Sequence, residues 1–316
     1  MSDKPYFCIY HGNCADGFGA AWVVRKALGE ENVEFYPGKY QKEPPDVTGK
    51  IVILVDFSYK RPVMTQMAAK ARGILVLDHH KSAQEELRAE GDSFKDFGSW
   101  PGDKTWSRFL SNVEMDTDKN RPTARIYTIF DMERSGAGLT WDFFFPRKPR
   151  PRLIAYIEDR DLWRFRLEKT REVQANLFSF PYDFEVWDRL MVEADTFGGL
   201  NRMIQDGEAI ERKNSKDLRE LLKVTTRWMM IDGTLVPVAN LPYTMASDGC
   251  SILCEEYPHA PFVAFYYDTP TGRVFSLRSR EEGWDVSEVA KRYGGGGHKH
   301  AAGFEVPFDR LKEPEV

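Results

Sequence analysis

The chain has 316 residues, 42% hydrophobic and 29% charged, with a formal net charge of −5. This is the composition of a soluble globular protein of one large domain or two ordinary ones. The acidic balance argues against a bulk electrostatic grip on long duplex DNA, and no apolar run reaches the roughly 18 residues of a membrane helix.

Tyr6 to Tyr10 predicts a short buried strand, with Cys8 in its core. Ala15 to Leu28 predicts a helix, since Phe18, Ala21, Trp22 and Leu28 fall at helical spacing and Gly29 supplies a stop. Lys50 to Asp56 holds the run Ile-Val-Ile-Leu-Val, a buried strand. Arg61 to Arg72 predicts a helix with Pro62 near its start, where a missing N–H does no harm. Ile74 to Leu77 is a further strand, and the alternation indicates a parallel sheet. Residues 91–123 are polar and carry isolated Trp100, Trp106 and Phe109. They read as a polar insertion: a lid, an oligomer contact or a flexible loop. Ala124 to Phe130 predicts a strand and Gly138 to Phe145 a helix, with the Pro/basic connector Pro146 to Pro151 after it. Leu153 to Trp163 carries Glu158, Asp159 and Asp161.

Gly199 to Lys223 predicts a long amphipathic helix that bridges to a second domain. Strands follow at Trp228 to Ile231, Leu235 to Ala239, Pro261 to Tyr267 and Val274 to Arg278, with Asp232-Gly233 as a hairpin turn. Val286 to Tyr293 is a short helix, followed by a glycine run. The expected architecture is α/β. Residues 1–198 form a doubly wound, mostly parallel sheet domain, 199–226 a helical linker, and 227–316 a smaller α/β domain with a mixed sheet, with a cleft between the two. The N-terminus, MSDKPYFCIY, lacks a signal-peptide pattern, so the expected location is cytoplasmic. Cys8, Cys14, Cys250 and Cys254 show no disulfide-framework spacing, and no second Cys/His pair lies near Cys250 and Cys254 to make a zinc site.

Five of the six histidines lie in three short motifs: His11-Gly12-Asn13-Cys14-Ala15-Asp16-Gly17, Asp78-His79-His80, and Gly294-Gly295-Gly296-Gly297-His298-Lys299-His300-Ala301-Ala302-Gly303. The first three predicted strands end at His11, Asp56 and Asp78-His79-His80. Open α/β sheets bind ligands at the carboxyl ends of their strands, so these residues are expected to converge, with Asp16 facing the same crevice. Carboxylates with imidazoles suit Mn²⁺, Fe²⁺, Co²⁺ or Zn²⁺, and so much carboxylate favours Mn²⁺. Without a cation such acids would repel one another. Two basic runs offer local anion contacts: Arg147, Lys148, Arg150 and Arg152, and Arg278 with Arg280. A solvated face is the plainer reading of the first.

His11…Asp16-Gly17, Val55-Asp56, Asp78-His79-His80 and the acids near Asp159, in that order, resemble the DHH phosphoesterases. Phe275-Ser276-Leu277-Arg278-Ser279, Asp285-Val286-Ser287 and Gly294 to Gly303 resemble the C-terminal domain that accompanies them. The resemblance covers most of the chain outside 91–123. It implies a bilobed metal-dependent enzyme with one or two Mn²⁺ ions. By it, His11, Asp16, Asp56, His79 and one further acid would ligate metal. That acid is Asp159 or Asp161, with Asp159 preferred. Asp56 would lie between two ions, and Asp78 and His80 would be catalytic, positioning or deprotonating water and orienting ligands. Arg278, Ser279, Gly295, Gly296, Gly297 and His298 would hold substrate phosphates, the glycines through backbone N–H nests. Family members commonly carry two acids in the first motif. Here Cys14 or Asn13 stands at the earlier position, which puts the second ion in doubt or makes Cys14 a thiolate ligand.

The implied activity is metal-assisted hydrolysis of phosphodiester or phosphomonoester bonds in short single-stranded RNA or DNA or small nucleotides. Its rivals are an exopolyphosphatase or pyrophosphatase-like hydrolase, and a non-catalytic nucleotide-binding protein. A homodimer is compatible with the sequence. Tyr243, Tyr266 and Trp284 are candidates to stack a base, although packing is the commoner use of such rings.

Overall fold

Alternate residues of the N-terminal strands feed two different cores. Ile51, Ile53 and Val55 join one cluster with Cys8, Leu75 and Leu77, while Val52 and Leu54 join another with Phe7, Ile9, Ile74 and Val76. A period of two with both faces apolar requires a sheet covered on both sides. The structure is a computed structural model and describes residues 4–40, 42–88, 94–97, 105–115 and 123–311. Trp100 lies outside the described residues.

The chain divides into two units, Met1–Ile210 and Glu211–Val316. The first contains β1 (Tyr6–His11), α1 (Ala15–Leu28), β2 (Val33–Gly38), β3 (Ile51–Val55), α2 (Arg61–Ala68), β4 (Gly73–Asp78), α3 (Lys81–Glu86), β5 (Phe94–Asp96), α4 (Trp106–Met115) and β6 (Ile126–Phe130). Then come α5 (Gly136–Phe144), α6 (Arg152–Asp161), α7 (Thr170–Leu177) and α8 (Phe184–Ala194). The helix α9 (Phe197–Thr225) starts in this unit, and the division falls inside it. The six strands run in the order β2-β1-β3-β4-β6-β5, and every pairing is parallel. Strand order reverses between β1 and β3, the switch point at which such sheets leave a crevice. One face is covered by α1, α5 and α6 through Phe18, Trp22, Leu139 and Ile157, the other by α2 through Met64 and Met67.

Two findings differ from the sequence expectation. Val33–Gly38 is a strand, paired with β1, although Pro37 and its mixed burial disguise it. Residues 91–123 also contribute regular structure: β5 pairs with β6 at the sheet edge, and α4 buries Phe109 and Val113. A three-residue strand is too short to show a period in a polar context.

The second unit contains β7 (Arg227–Ile231), β8 (Thr234–Asn240), α10 (Ala246–Glu256), β9 (Val263–Asp268), β10 (Gly272–Arg278), α11 (Val286–Arg292), β11 (Gly296–His298) and β12 (Ala301–Pro307). Its sheet, in the order β11-β12-β10-β9-β8-β7, is antiparallel except for β8–β9 and is therefore mixed. Asp232 and Gly233 both have positive φ, +53° and +73°, as a two-residue hairpin turn between twisted strands requires. Val286 and Val289 of α11 cover one face of this sheet, and Cys250 and Leu253 of α10 cover the other together with Leu218 and Leu222. Among the described residues, no helix is long and apolar enough to cross a membrane.

Candidate metal centre and anion site

His11 closes β1, Asp56 follows β3, and Asp78 closes β4. The register of the parallel sheet brings these three strand ends side by side. Asp56 has φ +54°, a conformation L side chains rarely adopt. Such strain persists where the surroundings enforce it, and here it turns a buried carboxylate back over the sheet edge. One oxygen, Oδ1, lies 3.0 Å from His79 Nε2; the other, Oδ2, lies 3.4 Å from His11 Nδ1. The two oxygens of one carboxylate thus serve two imidazoles.

Asp16 is in the first turn of α1 and is buried. Its Oδ2 and Oδ1 accept the N–H groups of Gly136 (2.5 Å) and Ala137 (2.9 Å), the start of α5. An acid at a helix N-terminus is held by both the N–H donors and the helix dipole. Gly136 is required there, because a Cβ on it would meet the Asp56 Cβ at 2.4 Å. Asp16 Oδ2 is also 3.6 Å from His79 Nε2, and Asp161 Oδ2 is 3.5 Å from the same nitrogen. Oxygens of three carboxylates therefore converge on one ring nitrogen.

Of the two acids the sequence offered for this place, Asp161, the last residue of α6, is the one beside His79. Asp159 makes other contacts. Its Oδ1 accepts from Arg166 N at 2.8 Å, and its Oδ2 accepts from Leu167 N at 3.1 Å and from the Thr170 hydroxyl at 2.6 Å. The two residues are two apart, so on a helix they point about 200° apart and cannot serve one site together. Cys14 comes within the group formed by His11 and Asp56, with one potential ligand atom from each within 4.8 Å of the others. Burial, then the charges of Asp56 and Asp161, pushes its thiol pKa well up, so a nearby cation is what would make it a thiolate.

Asp78 is fully buried. Its Oδ1 accepts from the backbone N–H of His79 (2.8 Å) and of His80 (3.3 Å) and pairs with His80 Nδ1 at 2.7 Å. This fixes the turn that carries both histidines and puts the proton of a neutral His80 on Nδ1. Tyr40 packs edge-on against the rings of His11 and His80, a contact the sequence did not signal.

The electrostatics are those of a crowd of acids. Burial pushes the Asp16 carboxyl well above the usual range, and Asp56 and Asp161 add to it. Burial likewise raises Asp161. Burial opposes the charge of Asp56 too, but hydrogen bonds and charge from His11 and His79 outweigh it and hold this carboxyl low. Burial disfavours the protonated form of His79, yet its bond to Asp56 and the charges of Asp161, Asp56 and Asp16 raise its pKa well above normal. The residues fit a divalent cation. Asp78 Oδ2 is a buried carboxylate oxygen with no hydrogen-bond partner among the described residues, and such an atom is costly unless a cation or donor meets it. Carboxylate and imidazole donors together suit Mn²⁺ or another first-row transition ion.

The anion-binding expectations fall in the second unit. Arg278 ends β10, its Nη1 near Ser276 Oγ (3.4 Å) and Leu277 O (3.0 Å) and its Nη2 3.2 Å from Ser247 Oγ. Ser279 donates its hydroxyl to Trp284 O at 2.6 Å, so the 2.9 Å contact with His300 Nδ1 is donated by the ring. Gly296, Gly297 and His298 form β11, and Gly295 precedes it. Gly297 has φ +143°, and a Cβ there would meet Ala301 O at 2.5 Å, so the tight return to β12 demands glycine. Arg150 of the other basic run is spent on Asp142 and Glu158, as a structural ion pair. Of the stacking candidates, Tyr266 is buried beside Arg227 and Arg273, while Tyr243 and Trp284 remain about half exposed.

A parallel α/β unit with buried aspartates and histidines on its strand ends is followed by a mixed-sheet unit with a glycine-rich hairpin, and that second unit carries a DHHA1 domain. The DHHA1 domain family matches residues 244–313, which span α10 to β12. The chain is 27% identical over 341 residues to Uncharacterized protein R106 of Acanthamoeba polyphaga mimivirus, covering 98% of this chain and 71% of that one. Among solved structures it is similar to exonuclease RecJ bound to manganese, with 14% identity and a TM-score of 0.47 over 95% of this chain and 86% of that one. It is also similar to the pGpG-specific phosphodiesterase PggH of Vibrio cholerae, with 14% identity and a TM-score of 0.44 over 97% of this chain and 94% of that one.

Proposed function

We propose that this chain is a Mn²⁺-dependent hydrolase of phosphodiester or phosphomonoester bonds in short single-stranded oligonucleotides or small nucleotides. The observation that carries the reading is the convergence of Asp16, Asp56 and Asp161 on His79, with Asp56 shared between His79 and His11. In this reading Asp16, Asp56, Asp161, His79 and His11 hold the ion or ions, and Cys14 adjoins the His11 side. When bound, a divalent ion supplies Lewis-acid stabilisation of phosphoryl charge and lowers the pKa of water.

The chain's own groups do the rest. Asp78 holds His80 by Nδ1, so Nε2 is the basic atom that takes a proton from attacking water and returns it to the leaving oxygen. Arg278, His298 and the N–H groups of Gly295 to Gly297 bind substrate phosphates. The acidic chain as a whole disfavours a long nucleic-acid polymer, which keeps the substrate short.

The test is release of phosphate or mononucleotide, with added Mn²⁺, from 5′-phosphorylated two- to five-mer RNA, adenosine 3′,5′-bisphosphate, linear and cyclic dinucleotides, and polyphosphate. Turnover of a nucleotide by the wild type, lost in Asp78→Asn, supports the reading. Turnover of polyphosphate alone overturns the substrate class. No turnover of any member with Mn²⁺ or Mg²⁺ overturns the activity.

A further inference from the structure

The stretch that follows Asp161 carries aromatic rings at the surface before and after α7. Trp163 is 39% exposed and Phe178 is 47% exposed. They are joined through arginine: the Arg160 guanidinium lies 5.2 Å from the Trp163 ring and 5.4 Å from the Phe178 ring. Trp163 meets Phe165 edge-on at 5.0 Å, and Arg171 lies over Phe165 at 4.1 Å and over Trp163 at 5.7 Å. Three rings and two guanidinium planes thus form one patch on the surface of the first unit.

This patch is held in place at a cost. Trp163 and Phe165 have φ of +55° and +49°, the left-handed region that bulky residues avoid. The buried Asp159 enforces that path. Its carbonyl accepts from Arg164 N (2.8 Å), and its carboxylate binds Arg166 N, Leu167 N and the Thr170 hydroxyl. A buried acid is therefore spent on holding Trp163 out to solvent with the half-buried Phe165 beside it. Consecutive Cα atoms are about 3.8 Å apart, so the Trp163 Cα lies no more than about 7.6 Å from that of Asp161.

We propose that Trp163, with Phe165, Phe178, Arg160 and Arg171, is a stacking platform for a nucleobase of a short single-stranded oligonucleotide whose phosphate lies at the neighbouring acid–histidine cluster. Every base has a π-face for an aromatic ring or guanidinium plane to stack on. Residues 160–171 hold five basic residues (Arg160, Arg164, Arg166, Lys169 and Arg171) against the two acids Asp161 and Glu168, a local excess of positive charge in a chain whose net charge is −5, which complements a phosphate backbone even with Arg164 paired to Glu133. Bare polyphosphate offers that charge and no ring, so the platform selects base-bearing substrates. The placement of the phosphate rests on the phosphoesterase reading; the stacking does not.

The experiment is calorimetric binding, with Mn²⁺ present, to full-length protein carrying Asp78→Asn to stop turnover. The probes are the 5′-phosphorylated triadenylate and tripolyphosphate. Adding Trp163→Ala is expected to weaken triadenylate binding about tenfold and to leave tripolyphosphate within about twofold, while Trp163→Phe keeps triadenylate within about threefold. Equal triadenylate affinity with and without the ring, equal loss for both probes, or no preference for triadenylate in the parent overturns the platform. The two readings fail separately. Base-selective binding lost in Trp163→Ala without turnover by the wild type would leave the platform and remove the hydrolase. Turnover with binding indifferent to Trp163 would do the reverse.

Discussion

At the carboxyl edge of the first unit's sheet, Asp16, Asp56, Asp78 and His79 are buried, whereas Arg278, Gly296, Gly297 and His298 of the second unit are only partly so. The buried groups face one another: Asp56 faces two imidazoles, and His79 faces three carboxylates. The partly exposed groups are fixed by backbone geometry, namely a hairpin that glycine alone permits and an arginine at a strand end. Removing one member of the first set disturbs all the others, because buried charges are compensated by their neighbours and not by water. Removing one member of the second set subtracts one contact.

The largest effect tests that interdependence. Asp56→Asn is expected to lower turnover by more than the roughly 10–100-fold that loss of an outer supporting partner costs. Combining it with Asp161→Asn should add little further loss, whereas combining it with Arg278→Ala should add the full effect of the latter. Additive losses for Asp56 and Asp161 in steady-state rates would dissolve the cluster into independent residues.

The next effect separates the two acids of α6. Asp161→Asn should lower turnover while metal-free protein unfolds at an equal or higher temperature, because a raised, crowded carboxyl has been neutralised. Asp159→Asn should cost about 1–3 kcal/mol of stability through donors left unmet at Arg166, Leu167 and Thr170. Thermal unfolding with and without Mn²⁺ distinguishes the pair, and the opposite assignment of losses would restore Asp159 to the metal set.

Arg278→Ala should raise KM for a phosphorylated substrate about tenfold and leave kcat within about twofold, as for a contact made equally in ground and transition states. An unchanged KM would remove the arginine from the substrate. The smallest effect concerns Cys14→Asp, expected to tighten Mn²⁺ binding a few-fold by supplying a hard oxygen beside His11 and Asp56. Weaker binding in the same titration would assign a thiolate ligand.

Much of this was legible in the sequence. The run Ile-Val-Ile-Leu-Val, the helix Ala15–Leu28 and the Asp232-Gly233 turn appear where periodicity and turn chemistry put them. The strand-end rule gathers His11, Asp56 and Asp78-His79-His80 at one edge of the sheet, where they lie. Three features were hidden. The strand Val33–Gly38 contains a proline, which an edge strand tolerates and a pattern search discounts. The strand Phe94–Asp96 is shorter than the period that would reveal it. The choice between Asp159 and Asp161 turned on which face of α6 meets the sheet edge, and the last turn of a helix leaves that open.

The most direct test of the account is a calorimetric titration of Mn²⁺ into metal-free wild type, Asp161→Asn and Asp159→Asn. Binding to the wild type, binding of similar strength to folded Asp159→Asn, and a large loss in Asp161→Asn are expected. A wild type that binds neither Mn²⁺ nor Mg²⁺, or an Asp161→Asn variant that binds as the wild type does, would contradict it.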